Sequence, residues 1–101
     1  MATPFQTYTI HYQSGHPSIE AFVQIFNAGS FIGQINFHKD SATLPANTLS
    51  GGVHTINYHL SRFRDVLQIL QYEKPLQVSV VSGIANLMAT GFEPVGEQEG
   101  V

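Results

Sequence analysis

The chain has 101 residues, 43% of them hydrophobic, which suits one domain that folds alone by burying about 60 to 65% of its unfolded surface. It has no Cys, which excludes disulfides and thiolate ligands, and no apolar run near spanning length, so no membrane partner is expected. Only 11% of residues are charged against about a quarter in ordinary domains, and the four cations, Lys39, Arg62, Arg64 and Lys74, are too few for a nucleic-acid partner.

The net charge of −3 comes largely from Glu93, Glu97 and Glu99 in the tail from Phe92 to Val101, the acidic C-terminal tail proper starting at about residue 96. The rest of the single domain, residues 1–101, is nearly uncharged. Sheet edges are normally defended by charge, so a homodimer is expected. Residues 1–13 lack a basic start and an unbroken apolar segment, unlike a signal peptide, and with no Cys this points to the cytoplasm.

Phe5 to Gln13 alternates as a strand, with Gln6, Tyr8, Ile10 and Tyr12 on one face and Phe5, Thr7, Thr9 and His11 on the other. Ser14 to Ser18 is a turn by chemistry. The apolar run Ile19 to Phe26 completes a hairpin, with Ile19, Ala21, Val23 and Ile25 inward and Glu20, Phe22, Gln24 and Phe26 outward. After a turn at Asn27 to Ser30, Phe31 to His38 is a third strand. Phe31, Gly33, Ile35 and Phe37 are expected inside, and Ile32, Gln34, Asn36 and His38 outside.

Lys39 to Gly52 has no defensible period, and a loop of that length inside a small domain is either functional or mobile. Val53 to Tyr58 is a fourth strand, with Ile56 and Tyr58 inward. It feeds a helix over Leu60 to Lys74, whose apolar residues recur at steps of three and four; Ser61 is the expected cap and Pro75 the stop. Leu76 to Val81 and Ala85 to Thr90 follow as strands around a turn at Ser82 to Ile84. The order predicts an α+β fold: a largely antiparallel sheet of five or six strands (β-β-β-β-α-β-β) with one helix packed on one face. If the fourth and fifth strands are parallel neighbours, the helix is their crossover. The helix-free face is then left to water, a ligand or a second subunit.

Tyr12-Gln13-Ser14-Gly15, Glu73-Lys74-Pro75 and Thr90-Gly91-Phe92-Glu93-Pro94-Val95-Gly96-Glu97 together resemble a family of small uncharacterised bacterial proteins. The resemblance implies a bacterial α+β domain and carries no activity, cofactor or catalytic residue.

The five His residues, His11, His16, His38, His54 and His59, do not have metal-ligand spacing, and no metal or other cofactor is expected. His11 and His38 share the outer face and can meet only if their strands are neighbours. His54 and His59 point to opposite faces. A His38–Asp40 pair at the mouth of the 39–52 loop, or Glu20 on the open face, offers an acid/base enzyme as the alternative. No nucleophile elbow is present, and Ser50-Gly51-Gly52 lacks the Lys and helix of a phosphate loop.

The preferred expectation is a non-enzymatic interaction or small-ligand-binding module. It self-associates through the helix-free face or an edge strand, using Thr9, His11, Phe22, Gln24, Phe26, Gln34, Asn36 and His38. That set mixes aromatic area with uncharged hydrogen-bonding groups, as interface centres do, and equally suits a protein or small-molecule partner.

Overall fold

The computed structural model describes residues 2–90. The acidic tail, and the Thr90–Glu97 motif beyond its first residue, lie outside the described residues. In chain order the strands are β1 (Thr3–Phe5), β2 (Thr7–Tyr12), β3 (Ile19–Asn27), β4 (Ser30–His38), β5 (Thr48–Ser50), β6 (Val53–His59), β7 (Leu76–Val81) and β8 (Ile84–Ala89). A 3-10 turn at Leu60–Arg62 leads into the helix α1 (Phe63–Tyr72). The α+β class is as expected, but the strands are divided between two sheets. One has five strands in the order β2-β3-β4-β6-β5, antiparallel except for the parallel β4–β6 pair; the other has three, β1-β7-β8, all antiparallel.

Residues 5–13 do not form the single strand that their alternation suggests. The chain changes sheets at Gln6, so β1 pairs with β7 and β2 with β3. Phe5, expected on the outer face with Thr7 and His11, is therefore buried in the core. A second correction falls in β4. The register passes from Ile25 opposite Gly33 to Phe26 opposite Phe31, so an extra residue, Ile32, is accommodated in a bulge. Beyond it the faces exchange: Phe31, expected inside, is 42% exposed, and Ile32, expected outside, is buried. A matching irregularity at Glu20 sets Ile19 opposite His38, which takes Ile19 out of the inward row of Ala21, Val23 and Ile25.

The crossover expectation is also corrected. The fourth and fifth expected strands, β6 and β7, lie in different sheets, and the parallel neighbours are β4 and β6, connected by the 39–52 segment. That segment contains a short edge strand, β5, which the aperiodic sequence hid.

One apolar cluster joins Ala21, Val23, Ile25, Ile35, Phe37 and Ile56 of the five-stranded sheet with Val66 and Leu70 of α1 and with Phe5, Leu76, Val78 and Val80 of the smaller sheet. Each such side chain contributes about 1.5–3 kcal/mol on burial. The inner face of the large sheet is thus covered by helix and small sheet together. Gly33 leaves no room for a side chain between β4 and β6: a Cβ there would meet the His54 carbonyl oxygen at 2.7 Å. The helix starts without a side-chain cap, so Ser61 does not act as expected, although Asp65 in the first turn favours the positive end of the dipole. It ends at Tyr72, two residues before the expected end at Lys74, and the Glu73 N–H donates to the Ile69 carbonyl (3.1 Å).

Candidate functional site

The registers place Thr9, His11, Phe22, Gln24, Gln34, Asn36 and His38 on one side of the five-stranded sheet, the side away from α1, and Phe26 with them. They do not form one continuous open surface. Thr9 and His11 are exposed, Phe22, Gln24, Phe26 and Gln34 are half-buried, and Asn36 (7% exposed) and His38 (3%) are buried. His11 and His38 stay apart because β3 runs between their strands.

What covers the far end is the 39–47 segment. The Asn57 amide donates to the Ala46 carbonyl (3.1 Å), His59 Nε2–H donates to the Ala42 carbonyl (2.9 Å), and the Asn57 backbone N–H donates to Asn47 Oδ1 (2.7 Å). These contacts fix the orientation of every polar group beneath. A main-chain carbonyl can only accept, so the Asn57 NH2 is committed to Ala46 and its Oδ1 is left as an acceptor. Asn36 Nδ2 donates to that oxygen (3.4 Å), Gln34 Nε2 donates to Asn36 Oδ1 (2.8 Å), and Gln24 Nε2 donates to Gln34 Oε1 (3.4 Å).

The same Asn57 oxygen lies 2.9 Å from His38 Nε2. An acceptor there requires Nε2 to carry the hydrogen, which leaves Nδ1 with its lone pair. Ser18 Oγ lies 2.7 Å from Nδ1 and is the donor. The structure therefore holds a directional relay, Ser18 O–H to His38 to Asn57, with the imidazole tautomer set by a backbone carbonyl two hydrogen bonds away. The expected His38–Asp40 pair does not form. Asp40 Oδ1 instead accepts the Ser61 N–H (3.0 Å) and caps the 3-10 turn from outside.

The near end is different. Among the described residues β2 is the edge of the sheet and pairs only with β3. The Gln13 N–H donates to the Glu20 carbonyl (2.9 Å), continuing the register in which Tyr12 faces Ala21. Bonded and non-bonded pairs alternate along an antiparallel ladder, so Thr7, Thr9 and His11 turn their backbone groups toward β3, and Tyr8, Ile10 and Tyr12 turn theirs outward. The strand has no charge, no Pro and no bulge. Ile10 is 42% and Tyr12 68% exposed. Tyr12 rests against Phe63 of α1 (ring centroids 5.5 Å apart), and His11 stacks on Phe22 at 4.5 Å.

Two clefts flank this framework. One, of about 730 Å³, runs between β1, β2 and the end of α1 and is lined by Tyr8, Leu70, Tyr72 and the Glu73-Lys74-Pro75 motif among others. The second, of about 400 Å³, is lined by Gln13, Ser14, Gly15, His16, Pro17, Glu20 and Lys39, so it includes three residues of the Tyr12–Gly15 motif. Among the described residues no group of three or more His, Cys, Asp or Glu is placed to hold a metal, and no helix is long and apolar enough to cross a membrane. His54 and His59 face opposite ways as expected. His54 Nδ1–H donates to the Ile32 carbonyl (3.0 Å), while its buried Nε2 has no partner among the described residues. Burial raises the Tyr58 hydroxyl above its ordinary pKa.

Ser18, Asn47 and Asn57 escaped the sequence reading. The available signal was the matched pattern Asn36-x-His38 and Asn57-x-His59, which becomes meaningful only once β4 and β6 are parallel neighbours in register. Comparison with protein-family models, curated proteins and solved structures finds no match to this chain.

Proposed function

We propose that the protein is a self-associating binding module of the cytoplasm whose second copy pairs along β2. The observation that carries this reading is the outward row of backbone groups on Tyr8, Ile10 and Tyr12, on an uncharged strand with exposed apolar side chains. Such an edge is a template for another strand, and proteins that remain single usually blunt it with charge, Pro or a bulge.

A two-fold axis at Ile10 satisfies the row. It sets Ile10 against its own copy and Tyr8 against Tyr12 of the second chain, and every outward donor then meets an outward acceptor. On one side of the joined sheet Ile10 and Tyr12 gain apolar neighbours. On the other, the Thr9, His11 and Phe22 surfaces become one continuous strip, available to a small molecule or a protein. This assigns self-association to the edge and ligand contact to the face. The absence of Cys and the scarcity of charge support this setting, and the resemblance to small bacterial α+β proteins is compatible with it.

Sedimentation at micromolar concentration tests the reading. The chain is expected at twice its own mass, and Ile10→Pro, which removes an outward N–H and no ladder bond to β3, is expected at the single-chain mass. A wild-type chain that sediments alone at every concentration removes the proposal.

A further inference from the structure

The Ser18–His38–Asn57 relay has the components of a nucleophilic catalyst, and nothing in a binding module requires them in this order. Ser18 Oγ is 2.7 Å from a nitrogen that is obliged to be unprotonated, because Nε2–H is held 2.9 Å from Asn57 Oδ1. That is the arrangement in which a hydroxyl gives up its hydrogen as it attacks, while an amide keeps the imidazole in the correct tautomer. His38 is 3% exposed, so bulk water does not compete for the bond, and Ser18 itself is only half-buried.

A cleft lies next to Ser18, whose own side chain is not part of its lining. Pro17 precedes Ser18, the Lys39 N–H donates to the Ser18 carbonyl (2.8 Å), and both Pro17 and Lys39 line the 400 Å³ cleft. The Ser18 and Ile19 amides are not free to stabilise an oxyanion, because both donate to His16 Nδ1 (3.0 and 2.8 Å). Lys39 is the cation on the wall of that cleft. The cleft's size and its polar lining suit a short acyl group and exclude a long hydrocarbon chain.

We propose that Ser18 is a nucleophile toward short-chain carboxylic esters, with His38 as its base, Asn57 as the positioning residue for His38, and Lys39 facing the developing oxyanion. Ser18 Oγ bonds to the ester carbonyl carbon as its hydrogen passes to His38 Nδ1. The tetrahedral adduct collapses, the carbon–oxygen bond to the alcohol breaks, and His38 returns the proton to the departing alkoxide. Water, deprotonated by the same nitrogen, then cleaves the acyl-serine to give the acid and restore Ser18. One ester and one water become one acid and one alcohol.

The test uses the full chain with a fluorophosphonate and with p-nitrophenyl acetate. Intact mass is expected to increase by one phosphonyl group, which peptide mapping places on Ser18. Ser18→Ala, which leaves the His38–Asn57 bond in place, is expected to take no label and to lose at least tenfold in ester turnover. His38→Gln is expected to slow labelling by about a hundredfold, the scale of a lost general base. A wild-type chain that takes no label, a label on any other residue, or ester turnover unchanged in Ser18→Ala overturns the proposal. Because Ser18→Ala stays dimeric under the edge-pairing reading, its mass in sedimentation separates failure of this site from failure of self-association.

Discussion

The two ends of the helix-free face use similar residues and reach opposite outcomes. Over β4 and β6, Asn36, His38 and Asn57 are buried polar groups; the 39–47 segment brings the Ala46 carbonyl to Asn57, whose oxygen in turn accepts from Asn36 and His38. Along β2, Thr9 and His11 have comparable chemistry and, among the described residues, no covering segment. Polarity therefore does not decide which part of a sheet is wet. The deciding factor is whether the chain can deliver acceptors and donors in the right order, since an unsatisfied buried polar group costs about 1–3 kcal/mol.

Asn57→Leu is the strongest way to break the sealed end. It orphans the Ala46 carbonyl, the His38 Nε2–H and the Asn36 amide at once. A loss of about 3 to 5 kcal/mol is expected in urea unfolding, more than any one of these bonds is worth. A loss under 1 kcal/mol would mean that the 39–47 segment covers the face without holding it.

At the bare end, Ile10→Pro is expected to raise the dimer dissociation constant by at least about a hundredfold, about 2.7 kcal/mol, with the monomer's unfolding midpoint nearly unchanged. Its contrast is Thr9→Pro, which cuts a ladder bond to β3. That variant is expected to lower the unfolding midpoint itself. If the two prolines behave alike, the assignment of outward and inward backbone groups along β2 is wrong.

Gly33→Ala probes the seam that makes the sealed end possible. The added methyl meets backbone, the His54 carbonyl oxygen at 2.7 Å, so β4 and β6 must part. A cost of about 1–3 kcal/mol is expected, read in the same denaturant series.

The smallest effect concerns Tyr58, whose hydroxyl is raised in pKa by burial. A raised folded-state value means that the folded chain holds the proton more tightly than the unfolded chain. The contribution is therefore fully present below about pH 10 and is lost as pH climbs through the folded value. Tyr58→Phe is expected to flatten the alkaline limb of the stability curve and leave its neutral region in place.

Much of the fold is legible in local pattern. The helix is legible because its apolar spacing is strongly periodic, and the Asn27–Ser30 turn because Ala28 and Gly29, both at positive φ (52° and 84°), form the two-residue connection that a twisted hairpin favours. The strand exchange at Gln6 was not legible and the bulge at Ile32 showed only in the neighbouring Gly33, a residue that weakens a strand interior, because each depends on which strand lies opposite. The site was half legible for the same reason. Alternation put His11, Phe22, Asn36 and His38 on one face, but Asn57 and Ser18 join His38 only through the parallel β4–β6 pairing and the β3–β4 register. Asp40 looked like the partner of His38 by proximity in sequence. A strand end separates them, and the carboxylate has a nearer donor in Ser61.

Amide hydrogen exchange along β2, followed from dilute to concentrated protein, tests most directly whether a second copy completes the edge. The Tyr8, Ile10 and Tyr12 amides are expected to exchange fast when dilute and to become protected together as concentration rises, while Thr9 and His11 stay protected throughout. Ile10 exchanging at the rate of a free amide at every concentration would contradict the account.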